Sequence, residues 1–230
     1  MSDYEISDSY REPRKQISNL NAFAKNKLLD QSKSLKKVTI LVLGYVGVGK
    51  SQLVAKGVHE VLGCKYYPPG EDDSDRFTTH TASHTGVVDG IKFNFEIVDT
   101  GNRDYDSHNI KRANAIIFVC AYDSTYSLSR IEYFLEYAHR DVVSPVPMYV
   151  FANKCDLFSK DKRLSREEIE ELATKNGCTF IETALFSEDG QIKDTFSEVL
   201  GFAVEHAEKY PRTESEPKSK GSKKRVCSIQ

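Results

Sequence analysis

The chain has 230 residues, 39% of them hydrophobic and 29% charged, with a formal net charge of -2 and five cysteines. That length suits one well-buried domain plus tails, because a single core commonly serves about 100 to 200 residues. The near-balanced charge excludes a globally basic nucleic-acid binder and a disordered acidic protein, so charge is informative only where it is local.

The cysteines (Cys64, Cys120, Cys155, Cys178 and Cys227) are odd in number and form no CxxC pair. This predicts a reducing compartment rather than a disulfide framework. No apolar run reaches the roughly 18 to 20 residues of a membrane span, and "MSDYEISDSY" has no basic region leading into an apolar one, so neither secretion nor a transmembrane anchor is expected. Serine after the initiator methionine excludes N-myristoylation.

Residues 1–37 are polar, with only Ile17, Leu20, Phe23 and Leu28 at loosely helical spacing, and are expected to form a disordered arm with one transient helix. From Val38 short apolar runs alternate with amphipathic stretches, the pattern of a mostly parallel sheet covered by helices on both faces. The strand candidates are Val38 to Leu43, Ile91 to Val98, Ala115 to Ala121, Pro147 to Ala152 and Thr179 to Ile181. Helical periodicity fits Ser51 to Leu62, Ser127 to Arg140, Ser165 to Lys175 and Ile192 to Lys209. Ser165 with Glu168 forms a capping box, and Gly177 stands where a left-handed residue ends that helix. Asp89-Gly90 between two extended runs predicts an antiparallel hairpin. The predicted domain is 38–210; beyond it, 211–230 is a basic tail.

Gly44 to Ser51 reads G-x-x-x-x-G-K-S between a buried strand and a helix, the context of a phosphate-binding loop. Gly44, Gly47 and Gly49 let main-chain N–H groups of the loop, Val46 and Val48 included, turn toward an anion, and the helix start at Gln52 adds partial positive charge. Lys50 would reach the terminal phosphates, and the Ser51 hydroxyl would coordinate magnesium. The stretch "VFANKCDLF" puts Asn153, Lys154 and Asp156 after another buried strand. Guanine presents a ring N–H beside an amino group, which suits the Asp156 carboxylate, whereas adenine offers an acceptor there. An ATP-using kinase or ATPase on the same loop is the alternative from another class, and it leaves Asp156 without a purpose.

G-x-x-x-x-G-K-S, then D-x-G, N-K-x-D and E-T-A, in this order and spacing over about residues 38 to 210, resemble the Ras superfamily of small GTPases. The resemblance implies an α/β P-loop NTPase fold, a small G domain whose mostly parallel six-stranded sheet is flanked by helices on both faces. It implies binding of GTP/GDP with Mg2+, and exchange factors, GTPase-activating proteins and effectors as partners, with no nucleic acid and a monomeric state. By the same resemblance Lys154 lays its stem along the base and Asn153 ties its loop to the phosphate loop. Glu182, Thr183 and Ala184 support the base from below, with an N–H from Ala184 or Leu185 near its carbonyl. Asp99 acts on the metal through water, and Gly101 donates its N–H to the terminal phosphate. The first-switch threonine is assigned to Thr78, with Thr79 next, as a metal ligand.

Two positions depart from the family pattern. "DTGNRDY" is one residue shorter than its counterpart, which puts Asn102 where relatives use a water-orienting glutamine; an ungapped match puts Arg103 there. Val46 stands where classical Ras proteins have glycine, crowding the terminal phosphate and an incoming arginine finger. Both predict slow GTP hydrolysis, with Lys50, Thr78 and Asn102 as the catalytic set. A GTP-locked or catalytically silent binding module is the competing expectation.

His80 and His84 lie about 13 Å apart if both are in one strand, too far to share a metal ion, and are expected on an exposed strand face. The chain ends "KSKGSKKRVCSIQ", where Cys227 four residues from the end with terminal Gln230 matches a farnesylation pattern. Lys218, Lys220, Lys223, Lys224 and Arg225 add about 1 kcal/mol each against an anionic leaflet. The expected location is the cytoplasmic face of the plasma membrane, lipid-anchored, with a cytosolic pool.

Overall fold

A computed structural model describes residues 35–66, 79–88, 90–100, 107–185 and 191–211. The chain divides into two units, Met1–Lys36 and Lys37–Gln230, and the sheet with all its helices belongs to the second. The predicted N-terminal arm and basic tail lie almost wholly outside the described residues.

The elements in order are β1 (Lys37–Gly44), α1 (Lys50–Leu62), β2 (His80–Val88), β3 (Ile91–Asp99), α2 (Ser107–Lys111), β4 (Ala115–Ala121), α3 (Thr125–Asp141), β5 (Met148–Asn153), α4 (Arg166–Lys175), β6 (Thr179–Thr183) and α5 (Gln191–Lys209). They build one six-stranded sheet in the order β2-β3-β1-β4-β5-β6. Only the β2–β3 pair is antiparallel. Every residue of β1 after Lys37, and all of β4, is buried, as a strand covered on both faces requires.

Alternation along β1 divides the apolar side chains between two cores. Ile40 and Val42 face Val54 and Val58 of α1 and Phe196 and Leu200 of α5. Leu41 and Leu43 join Ile131, Phe134 and Leu135 of α3 and Ile169 of α4 on the other face. α1 and α5 touch closely at Gly57, where an added Cβ would lie 2.5 Å from the Phe196 ring. The capping box of α4 is present, with Ser165 and Glu168 each satisfying the other's backbone, and Gly177 has φ 67°. The hairpin turns at Gly90, φ 75°, with Val88 opposite Ile91.

The fold departs from expectation in three places. α3 begins at Thr125, capped by Ser124, because the Ser127 side chain is spent inside the first turn on Ser124 O at 2.6 Å. The five-residue α2 carries too little periodicity to be read. His84 is not on an exposed face: it is 7% accessible, and neither ring nitrogen has a hydrogen-bond partner among the described residues. Its strand is at the edge of the sheet, but His84 and Gly86 point inward while Ser83, Thr85 and Val87 point outward. Burial accordingly holds the His84 imidazolium below its usual pKa.

Candidate functional site

Strand order reverses at β1: its neighbour β3 leads to one edge and β4 to the other. The crevice outside the carboxyl ends of strands at such a point is where open α/β sheets bind ligands. The loops after β1, β4, β5 and β6 all leave from that end.

The first of these, 45–49, is shaped by its glycines. At Gly44 a Cβ would stand 2.3 Å from the Val119 carbonyl oxygen, so β1 can run this close to β4 only without a side chain. Gly49, at φ 96°, precedes α1 and offers its helix no side-chain cap, and the first turn contains no acidic residue. The unpaired N–H groups there, with the helix dipole, favour an anion. Val48 is buried, whereas Tyr45 and Val46 are exposed, 37% and 42% respectively, and the Tyr45 ring meets Tyr126 of α3 edge-on at 4.6 Å.

Lys50 is 6% accessible and donates from Nζ to the Tyr45 carbonyl oxygen at 2.8 Å, curling back over the loop. Burial lowers its pKa from 10.5 to about 8, against the opposing pull of Asp99. Between about 8 and 10.5 the unfolded chain holds this proton more firmly than the folded one, so Lys50 makes stability rise with pH across that window. A bound polyphosphate favours the charged form and reverses the shift. Polyphosphate binding near pH 8 is therefore expected to take up a fraction of a proton, and affinity to fall as pH rises through that value. Calorimetry in two buffers of different ionisation enthalpy measures this; uptake should vanish about two pH units lower.

Ser51 Oγ donates to Asp99 Oδ2 at 2.5 Å, and the Tyr66 hydroxyl reaches the same oxygen at 3.3 Å. Burial first, then Asp99, raises the Tyr66 pKa, so its hydroxyl stays protonated. Thr79 precedes the residue paired with Asp99, His80, and its buried hydroxyl has no hydrogen-bond partner among the described residues. A hydroxyl, a buried carboxylate and this second hydroxyl near the end of β3 are hard oxygen donors of the kind magnesium takes beside phosphate oxygens. The residues present fit that ion.

The loops after β5 and β6 are tied to the phosphate loop by one side chain. Asn153 Nδ2 donates to Val48 O at 2.8 Å, while Asn153 Oδ1 accepts from Thr183 Oγ1 at 3.4 Å. A Cβ on Gly49 would sit 2.4 Å from Asn153 Nδ2, so the glycine makes room for this tie. Cys155 N bonds Thr183 O at 3.2 Å, joining the two base-side loops directly. Lys154 adopts φ 64°, rare for a residue with a side chain, and its ammonium pairs with Asp123 Oδ2 at 2.7 Å. Asp156 is exposed.

Other contributors carry no motif. Asp123 follows β4 and anchors Lys154. Tyr122 and Arg166 both hold the Glu182 carboxylate, fixing the start of E-T-A from outside, and Lys162 covers the Tyr122 ring at 4.6 Å. Lys56 of α1 donates to Leu185 O at 2.8 Å. None of these has a usable signal in the sequence: Asp123 reads as a turn residue two positions after β4. Gly101, Asn102, Thr78 and Cys227 lie outside the described residues.

A model of the Ras family matches residues 39–204 of this chain. Among similar proteins, the Ras-like protein rasS of Dictyostelium discoideum is 31% identical over 167 residues, which cover 70% of this chain and 80% of that one. The small monomeric GTPase RhbA of Aspergillus fumigatus is 29% identical over 156 residues, 65% of this chain and 78% of its own. The match spans the loops after β1, β4, β5 and β6, the corner formed by Ser51 and Asp99, and most of the chain: this protein belongs to the Ras family.

Proposed function

We propose that this Ras-like small GTPase is a membrane-anchored signalling switch that binds GTP and GDP and turns GTP over slowly. The observation that carries the nucleotide part is the Asn153–Val48 bond, which joins a phosphate-binding loop to the loop holding an exposed Asp156. One end suits phosphate; the other suits a ring N–H beside an amino group.

In this reading Lys50 leaves the Tyr45 carbonyl for the terminal phosphates and places its charge where negative charge develops in the transition state. Ser51 would hold Mg2+ directly and Asp99 through water, with Thr78 completing the set from the first switch; Thr79, with its orphaned hydroxyl, is the neighbouring candidate. An ion held by these residues would supply charge neutralisation toward the phosphates. Asn102 is the water guide, shorter by one methylene than the family's glutamine.

Sequence supports the slow step and the anchor. Val46 and Asn102 impair one transition state together, and a single prenyl chain on Cys227 needs the adjacent lysines for stable attachment. Exchange factors, GTPase-activating proteins and effectors are the proposed partners, at the cytoplasmic face of the plasma membrane. Single-turnover phosphate release from the GTP-loaded, magnesium-bound protein tests the enzymatic part. A slow, finite rate is expected. Complete absence of release would favour the GTP-locked module, and a rate like that of a glycine- and glutamine-bearing relative would remove the proposed defect.

A further inference from the structure

We infer that Lys56 is a positioning residue for base specificity: from α1 it fixes the Leu185 main chain against the carbonyl edge of the purine. The inference rests on the guanine-nucleotide reading of this site and assigns part of that recognition to a residue outside every motif.

Lys56 stands in the second turn of the helix that starts at the phosphate loop, and it reaches across 129 positions of sequence to Leu185 O at 2.8 Å. Its ammonium also lies 3.8 Å from Glu60, one turn further along, so the cation is steered from two sides. An ammonium donating to a main-chain carbonyl makes a charge-assisted bond, roughly twice the strength of a neutral one. The far side of Leu185 is also constrained. Its side chain comes within 3.1 Å of where a Cβ on Gly49 would be, so it packs over the phosphate loop. Thr183, two residues earlier, is held by Asn153 and Cys155.

Leu185 is thus fixed at its side chain, at its carbonyl and at the strand that leads into it. The carbonyl contact comes from α1 and holds the peptide that leaves Leu185, so the Leu185 N–H, on the preceding peptide, is restrained through the shared Cα. A cavity of about 440 Å³ opens beside the contact, lined by Lys56 and Leu185 with Gln52, Ala55, His59 and Tyr66 among others. A purine carbonyl meeting the N–H of this segment gains only if that N–H is already aimed; a wandering peptide spends part of the bond on ordering itself.

Lys56→Met keeps most of the stem and removes the donor; Lys56→Arg keeps a donor. Dissociation constants of the full chain and both variants are measured for GDP, for IDP, and for aminopurine riboside diphosphate, which lacks the ring carbonyl. Each nucleotide is compared with its own wild-type value. Lys56→Met should weaken GDP and IDP by roughly fivefold to tenfold and leave the aminopurine nucleotide unchanged, and Lys56→Arg should restore most of the loss. Equal weakening of all three nucleotides would reduce Lys56 to general support of the fold, and no weakening would remove its role; either result overturns the inference. Failure of the underlying reading shows separately, as wild-type protein that binds ADP as tightly as GDP.

Discussion

Asp156→Asn is expected to weaken GDP binding by on the order of a hundredfold or more while leaving the fold intact. Asp156 is exposed after β5, so its replacement opens no core and should not shift the melting temperature appreciably. Its carboxylate offers two acceptors to two adjacent donors on guanine, and each charge-assisted bond contributes about 1.5 to 3 kcal/mol. Asparagine keeps one acceptor and places a donor against the other guanine donor, so one bond is lost and a repulsion is added. The same logic predicts a gain elsewhere. Xanthine has a carbonyl where guanine has its amino group, and xanthosine diphosphate should bind the variant better than it binds wild type. Competition titrations with GDP, XDP and ADP measure all three. If the variant still prefers guanine by the wild-type margin, Asp156 is not the selector.

Val46→Gly combined with Asn102→Gln should accelerate single-turnover GTP hydrolysis by on the order of a hundredfold, each change alone giving less. Misplacing an attacking water by about an ångström costs on that order. Val46 is 42% exposed and its neighbour Gly47 has open space around it, so removing the valine side chain costs little packing. The rate should rise further with an arginine-supplying activating protein, because a valine no longer stands in the way of the finger. Phosphate release at saturating magnesium is the readout. An unchanged rate in the double variant would place the defect elsewhere, first of all at Arg103, the residue an ungapped match puts in the same role.

The parts of this molecule that are legible in the sequence are those where one residue type alone satisfies a local demand. β1 and β4 show as unbroken apolar runs because both their faces are covered. The phosphate loop shows because Gly44 and Gly49 stand where any Cβ would strike Val119 or Asn153. The α4 start shows because a capping box is local in sequence. What stays hidden depends on pairings between distant segments. Lys56 looks like any lysine on the polar side of an amphipathic helix until Leu185 is brought beside it. Asp123 looks like a turn residue until Lys154 adopts a left-handed conformation and meets it. His84 looks solvated because histidine is polar; which face of an edge strand is covered is decided by register, and β2 turns its even-numbered residues inward. Thr78 and Asn102, by contrast, rest on spacing alone, and that spacing includes a one-residue deletion relative to the family.

The most direct test is the nucleotide that the protein carries. Full-length protein purified with magnesium and without added nucleotide is denatured, and the released small molecules are separated and quantified. Near-stoichiometric guanine nucleotide is expected, with an unusually large share of GTP over GDP. Adenine nucleotide in that position, or guanine and adenine nucleotides in similar amounts, would contradict base selection by Asp156 and with it the function proposed for this site.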